Sequence, residues 1–160
     1  MKKILVFGNS GSGKSTLSRH LSVQHDLPYL DLDTICWASP GVRKPVEDST
    51  IEVIEFINAN SAWVIEGCYG SLIEVVSEYC NEMIFLNPGI EACLDNNRKR
   101  PWEPHKYPSK EAQDKNLAML QDWVKEYENR DDEYSYEYHQ NIFTTFEGNK
   151  KELNEKHVQL

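Results

Sequence analysis

The chain has 160 residues and a hydrophobic fraction of 39%, enough for one compact domain and little more. Its formal net charge of −9 excludes general affinity for nucleic acid or an anionic membrane, so any anionic ligand needs a local cluster of cations. Four scattered cysteines (Cys36, Cys68, Cys80 and Cys93), with neither a C-x-x-C pair nor metal-ligand spacing, read as free thiols of a reducing compartment.

Residues 3–7 read as a short buried strand. It runs into Gly8-Asn9-Ser10-Gly11-Ser12-Gly13-Lys14-Ser15, which satisfies the phosphate-loop pattern G-x-x-x-x-G-K-[ST] at every specified position, and Thr16 opens the helix that follows. Glycines let such a loop curl so that successive N–H groups point at phosphate oxygens, and the helix N-terminus adds partial positive charge. In this pattern Lys14 reaches the β- and γ-phosphates and the Ser15 hydroxyl ligates Mg²⁺. The residues from Gly8 to Thr16 are therefore expected to hold a nucleotide.

Residues 27–31 read as a second strand, ending in Asp31-Leu32-Asp33. Ser49-Thr50-Ile51-Glu52 has the form of a capping box and predicts a helix with Ile51, Ile54 and Ile57 on its apolar face. Residues 62–66 read as a third strand, Ser71-Leu72-Ile73-Glu74 as a second capping box, and residues 83–86 as a fourth strand. Asn87-Pro88 supplies an N-cap and a proline at the first helical position. Residues 98–108 carry three prolines among basic and aromatic residues, which excludes regular helix or central strand and predicts an exposed lid. A long helix follows with Leu117, Leu120, Val124 and Tyr127 on one face. A last helix carries Tyr134, Tyr138, Ile142 and Phe146 at i+4 spacing, read as core packing. Residues 147–150 read as a turn and 151–154 as a short fifth strand. No stretch approaches the ~20 apolar residues of a membrane helix. The first apolar run ends in the phosphate loop rather than in a secretory signal, so a soluble, cytoplasmic protein is expected.

Apolar strands separated by helices imply a parallel sheet covered on both faces, with ligands at the C-terminal strand ends. That rule singles out the phosphate loop, Asp31, Asp33 and Glu66. Phosphoryl transfer needs positioned cations, a metal and exclusion of water. Arg98 and Arg100 on the lid are candidates for the mobile cations, against the alternative of a solvated basic stretch. Of the two aspartates, one would stand near Mg²⁺ and one would orient or deprotonate an acceptor hydroxyl. The alternative is a turn-forming pair. Glu66 fits a metal-side role or plain exposure at a strand end.

Taken together, these residues resemble the P-loop small-molecule kinases, the group containing adenylate kinase and shikimate kinase. The pairing of Leu32-Asp33-Thr34 and Trp37 with the segment from Trp63 to Gly70 is closest to an adenylate-kinase-like group labelled "topology modulation" proteins. The resemblance implies a three-layer α/β fold: a five-stranded parallel sheet with helices on both faces, in one domain over 1–160 with a lid at about 98–108. It implies Asp31, Glu66 and Ser15 at the metal, and Lys14, Asp33, Arg98 and Arg100 in catalysis. It also places Arg130, Gly148 and Lys150 against the nucleotide. The chain departs from the family in lacking an arginine after Glu66-Gly67, so neither a nucleoside monophosphate nor shikimate finds its usual clamp. Asp33, Trp37, Arg43 and Tyr69 remain as candidate acceptor contacts. The expected activity is phosphoryl transfer from Mg-ATP to a small-molecule acceptor by a monomer with no nucleic-acid or membrane partner. The alternatives are a slow ATPase or a nucleotide-binding regulatory module. The guanine signature N-K-x-D is absent, which disfavours a GTPase.

Overall fold

A computed structural model describes residues 1–39 and 41–154. The central strand, β1 (Lys3–Gly8), is flanked by β5 (Trp63–Gly67) and β6 (Glu82–Leu86). The edges are β2 (Tyr29–Asp31) and β7 (Asn149–Leu153), giving the order β2-β5-β1-β6-β7 with every neighbouring pair parallel. The three inner strands are buried on both faces, which is why they are almost continuously apolar rather than alternating. Side chains two apart share a face. Ile4 and Val6 join Val64, Ile84 and Leu86 under Leu17 and Leu21 of α1 (Lys14–His25). Leu5, Phe7, Ile65 and Phe85 face the opposite layer, made by α2 (Val46–Ala59), α3 (Gly70–Ser77) and α6 (Tyr136–Thr145). The Phe7 and Phe85 rings stack there with centroids 5.0 Å apart. Truncating either to Ala would cost about 3–5 kcal/mol.

α4 (Ile90–Arg98) and α5 (Lys110–Lys125) pack on each other through Cys93, Leu94 and Val124. β3 (Trp37–Ser39) and β4 (Val42–Arg43) form a small antiparallel ribbon beside the main sheet. The four cysteines are free thiols. Among the described residues no helix is long and apolar enough to cross a membrane.

The sheet and its two helical layers follow the expected α/β architecture; several element boundaries do not. α2 starts one turn before its capping box. Pro45 presets φ at −53° and its carbonyl accepts from Asp48 and Ser49 at 3.1 and 3.3 Å. Ser49 is thus an interior residue, fully buried, donating its hydroxyl to the Ile35 carbonyl at 3.0 Å. The buried face is Ser49, Val53 and Ile57, while Ile51 is 58% exposed. α3 likewise begins at Gly70, with Tyr69 as its cap and Ser71 inside the first turn. α4 begins after Gly89 rather than at Asn87-Pro88, because the Asn87 N–H extends the β7 pairing by bonding the Leu153 carbonyl at 2.8 Å. β7 starts at Asn149, inside the expected turn. Tyr138, Ile142 and Phe146 pack into the main core as the i+4 spacing requires, and Tyr134 joins them from just outside the helix.

Candidate active site

All five parallel strands end on the same side of the sheet, and the phosphate loop leaves β1 there. Gly11 has φ +83°, and a Cβ on it would lie 2.4 Å from the Cys93 carbonyl oxygen, so only glycine fits against α4. Gly13, at φ +99°, turns the chain into α1. The loop's carbonyls are held by side chains outside it. Asn96 Nδ2 donates to the Gly11 oxygen at 2.8 Å and Asn97 Nδ2 to the Ser10 oxygen at 3.4 Å. Asn9 bonds its neighbour's N–H at 2.9 Å and the Val124 carbonyl at 3.4 Å. With the Ser10 and Gly11 carbonyls turned toward α4, the loop is preorganised for an anion. Lys14 folds over it, its ammonium donating to the Asn9 carbonyl at 2.8 Å. Asn96 and Asn97 belong to no sequence motif, and reasoning from the sequence missed both.

The neighbouring strand ends bring Asp31 and Glu66 into register. Glu66 is 2% exposed and accepts a hydrogen bond from the Tyr29 hydroxyl, which also meets the Ser15 hydroxyl. Burial, then the charges of Glu66 and Asp33, push the Asp31 carboxyl up to about 6. Burial and Glu66 likewise hold Tyr29 well above the usual phenol range. Among the described residues no set of three His, Cys, Asp or Glu side chains forms a metal cage. One hydroxyl and two crowded carboxylates are hard oxygen donors, and they suit Mg²⁺ that keeps most of its ligands as water and phosphate.

Asp31 Oδ1 accepts the Asp33 N–H at 2.9 Å, which caps a 3₁₀ turn over Leu32–Thr34 and fixes Asp33 at the cleft. The Asp33 carboxylate accepts from the Tyr69 hydroxyl, from Trp37 Nε1 at 3.3 Å, and from the Lys106 ammonium at 2.5 Å. Burial would raise the Asp33 carboxyl, but Lys106, helped by the Tyr69 and Trp37 hydrogen bonds, holds it below the usual range. Burial opposes the Lys106 charge too, and Asp33 outweighs it, leaving Lys106 above the usual lysine value.

Lys106 stands on the proline-rich segment between α4 and α5. That segment is ordered by its own contacts. The Glu103 N–H donates to Gln113 Oε1 at 2.8 Å and Trp102 Nε1 donates to the Tyr107 carbonyl at 3.1 Å. Glu103 also pairs with Arg100 at 3.5 Å, Lys106 at 3.2 Å and His105 at 3.6 Å. Between this segment and the phosphate loop lies a cleft of about 820 Å³, lined by Lys14, Ser15, Asp31, Asp33, Glu66 and Tyr69 on one side and Lys99, Arg100 and Lys106 on the other. Its size suits a small-molecule site.

Arg98, Arg130, Gly148, Lys150, Arg43 and Trp37, all expected contacts, are not among the residues that line this cleft. α4 ends with Arg98, one residue into the expected lid, so Arg98 lies on the same helical face as Leu94. It lines a separate groove of about 350 Å³ against Asp114 and Leu117 of α5. Lys99 and Lys106 stand in the cleft where Arg98 was expected. Arg43 bonds Glu133 at 3.2 Å and the Tyr134 hydroxyl, and its guanidinium lies 4.6 Å over the Tyr69 ring. Its Nε and Nη2 are buried without a hydrogen-bond acceptor, closed off from the cleft. Arg130 is spent on its own neighbourhood: Asp132 at 3.2 Å, the Trp123 and Tyr134 carbonyls, and the Trp123 ring at 3.9 Å. Lys150 pairs in register with Met83, which sits beside Leu5 of β1, while Gly8 aligns with Leu86 and Leu153. Lys150 therefore lies about 10 Å back along the sheet from the phosphate loop, and Gly148 further still. Lys150 instead bonds the Phe143 and Thr144 carbonyls at the end of α6. Trp37, 41% exposed, donates its Nε1 toward Asp33 at 3.3 Å and the Tyr69 hydroxyl at 3.1 Å, but is not itself among the residues that line the cleft.

No protein-family model matches the sequence, and no curated protein does. Among solved structures, an unliganded sugar kinase from Janibacter sp. HTCC2649 aligns over 96% of this chain and 84% of its own, with 17% identity and a TM-score of 0.54. A shikimate kinase from Acinetobacter baumannii, in complex with shikimate, aligns over 90% of this chain and 92% of its own, with 15% identity and a TM-score of 0.48. The chain shares the fold of the sugar kinase.

Proposed function

We propose that the chain is an adenylate-kinase-like phosphotransferase that moves the γ-phosphoryl group of Mg-ATP to a hydroxyl of a small-molecule acceptor. The reading rests on one observation: a complete phosphate loop and a charge-paired carboxylate, Asp33, line a single cleft together with the lysines and arginine of the proline-rich segment. The loop N–H groups and Lys14 would bind the β- and γ-phosphates, with the loop carbonyls kept away by Asn96 and Asn97. Ser15, Asp31 and Glu66 would hold Mg²⁺, which supplies charge neutralisation on the phosphates. Asp33, oriented by Tyr69 and Trp37, would accept the acceptor hydroxyl in the place that Lys106 now takes. The hydroxyl oxygen bonds to phosphorus, the bond to the departing ADP breaks, and the proton passes to the Asp33 carboxylate. Arg100, Lys99 and Lys106 would screen the transferring group from water.

The test is Mg-ATP consumption by the purified protein across sugars, polyols, nucleosides, nucleoside monophosphates and shikimate, with Lys14→Ala as the blank. Acceptor-dependent ADP formation that Lys14→Ala abolishes is the expected result. ATP binding with no turnover on any acceptor would refute the kinase and leave a nucleotide-binding module.

A further inference from the structure

The two oxygens of the Asp33 carboxylate are differently engaged. Oδ1 accepts from the Tyr69 hydroxyl and from Trp37 Nε1 at 3.3 Å, while Oδ2 takes the Lys106 ammonium at 2.5 Å. A carboxylate oxygen has two lone pairs, and both of those on Oδ1 are used. Oδ2 is therefore the oxygen left to receive a proton, and a cation stands against it. Moving a proton onto Oδ2 while the ammonium stays would forfeit the attraction between the two groups.

The cation comes from a segment that moves as a unit. The Lys106 and Tyr107 N–H groups both donate to the Glu103 carbonyl at 3.0 Å. Gln113 Nε2 donates to the Pro101 carbonyl at 3.1 Å and Asn116 Nδ2 to the Tyr107 hydroxyl at 2.7 Å, so residues 101–108 are tied to α5. Among the described residues, Lys106–Asp33 is the one hydrogen bond or ion pair that crosses from this segment to the strand ends. Opening it strands neither group. Lys106 keeps Glu103 at 3.2 Å, a partner on its own segment, and Asp33 keeps Tyr69 and Trp37. The contact is thus built to open, but only for a ligand that offsets the loss. A water molecule brings its own hydrogen bonds and nothing more. A bound acceptor brings the contacts of its whole surface, and that binding energy can drive the exchange.

We infer that Lys106 is a positioning residue that sets the enzyme's choice between acceptor and water: it covers Asp33 Oδ2 until an acceptor displaces it, and so keeps the base from activating water while Mg-ATP waits in the cleft. The inference rests on the kinase reading above. The suppressed reaction is hydrolysis. The water oxygen bonds to the γ-phosphorus, the bond to the departing ADP breaks, and one water proton passes to Asp33 Oδ2.

The experiment measures phosphate release from Mg-ATP with no acceptor present, with Lys14→Ala as the blank. Lys106→Met should release phosphate on the order of 10-fold faster than the wild type, a gain that mere loss of structure at the site does not produce. Lys106→Arg, which keeps the charge, should stay within about 3-fold of the wild type. Adding Asp33→Asn to Lys106→Met should return the rate to the wild-type level. Calorimetry with a non-hydrolysable ATP analogue shows that each variant still binds nucleotide, and Lys106→Ala is a second variant with the same expectation as Lys106→Met. A Lys106→Met rate no higher than the wild type overturns the inference. So does a gain that survives Asp33→Asn, because Lys106 would then only shield the phosphate from water, and so does a Lys106→Arg rate as high as that of Lys106→Met. The acceptor panel separates this outcome from that of the kinase reading. Acceptor turnover by the wild type with no gain in Lys106→Met keeps the kinase and overturns the role of Lys106. An Asp33-dependent gain with no acceptor found upholds that role and refutes the kinase.

Discussion

Replacing Lys106 by Met removes the cation that holds the lid to Asp33. The two side chains retain 28% and 24% exposure, so the pair lies between two well-known cases. Fully exposed ion pairs contribute ~0–1 kcal/mol, and breaking a fully buried one costs ~3–5 kcal/mol. Asp33 keeps the Tyr69 and Trp37 donors after the substitution, so its carboxylate is not stranded. The expected loss is about 1.5–2 kcal/mol of lid docking, on the order of a 10–30-fold rise in the open population. Hydrogen exchange of the amides between α4 and α5, in the absence of ligand, reads this population directly. Lys106→Arg should restore most of the protection. The wild-type protection should hold across neutral pH. Asp33 has a depressed pKa, so its share is present above the unfolded value near ~4 and lost as pH falls through the folded value. Lys106 has a raised pKa, so its share is present below the unfolded value near ~10.4 and lost as pH rises through the folded value. Lid protection in Lys106→Met equal to wild type, or lid exchange that melts in the middle of the pH 5–9 range, would refute the latch.

Asp31 titrates the other way. Its pKa is raised to about 6, so the stability it lends is present below the unfolded value near ~4 and lost as pH rises through 6. Asp31→Asn should therefore raise ligand-free stability at pH 8 by about 1–2 kcal/mol in urea melts while weakening Mg²⁺ binding. No gain at pH 8 would show that Asp31 is not crowded. Gly11→Ala should lower the urea midpoint by about 2–4 kcal/mol of stability and abolish ATP binding, because its Cβ would collide with the Cys93 carbonyl at φ +83°. His139 is fully buried between the Tyr127 hydroxyl and the Cys68 carbonyl, and burial pushes its pKa down to about 4. Its contribution is present above ~6.5 and lost as pH falls toward 4. His139→Phe, which leaves the Cys68 carbonyl unpaired, should cost about 2–3 kcal/mol at pH 7 and remove that acid-side slope in urea melts.

The phosphate loop was legible in the sequence because its chemistry lies in the backbone of one short segment. Its glycines report the dihedrals and its Lys14 and Ser15 follow at fixed spacing, so neighbours along the chain suffice to define it. The three inner strands were legible for a related reason: strands buried on both faces must be nearly continuous apolar runs, and helices between such runs leave few topologies. Helix starts were less legible because a cap and a buried polar residue are written with the same letter. Ser49 looks like an N-cap, yet its hydroxyl bonds Ile35 from inside α2, since Pro45 had already begun the helix.

The acceptor side turns on which of two cations an acidic partner captures, and that is decided by contacts spanning many residues. Arg43 is taken by Glu133, ninety positions away, and Lys106 by Asp33, seventy-three away. Arginine is the usual expectation for an anion clamp, and Arg43 and Arg98 were chosen from sequence on that ground. The fold reverses the choice. Arg98 closes α4 on the side that faces α5, Glu133 and Tyr134 close over Arg43, and a lysine from the middle of the proline-rich segment reaches the carboxylate. The residue types on both sides of the exchange are ordinary. Their pairing, which no spacing along the chain records, decides that Lys106 rather than Arg43 stands at Asp33.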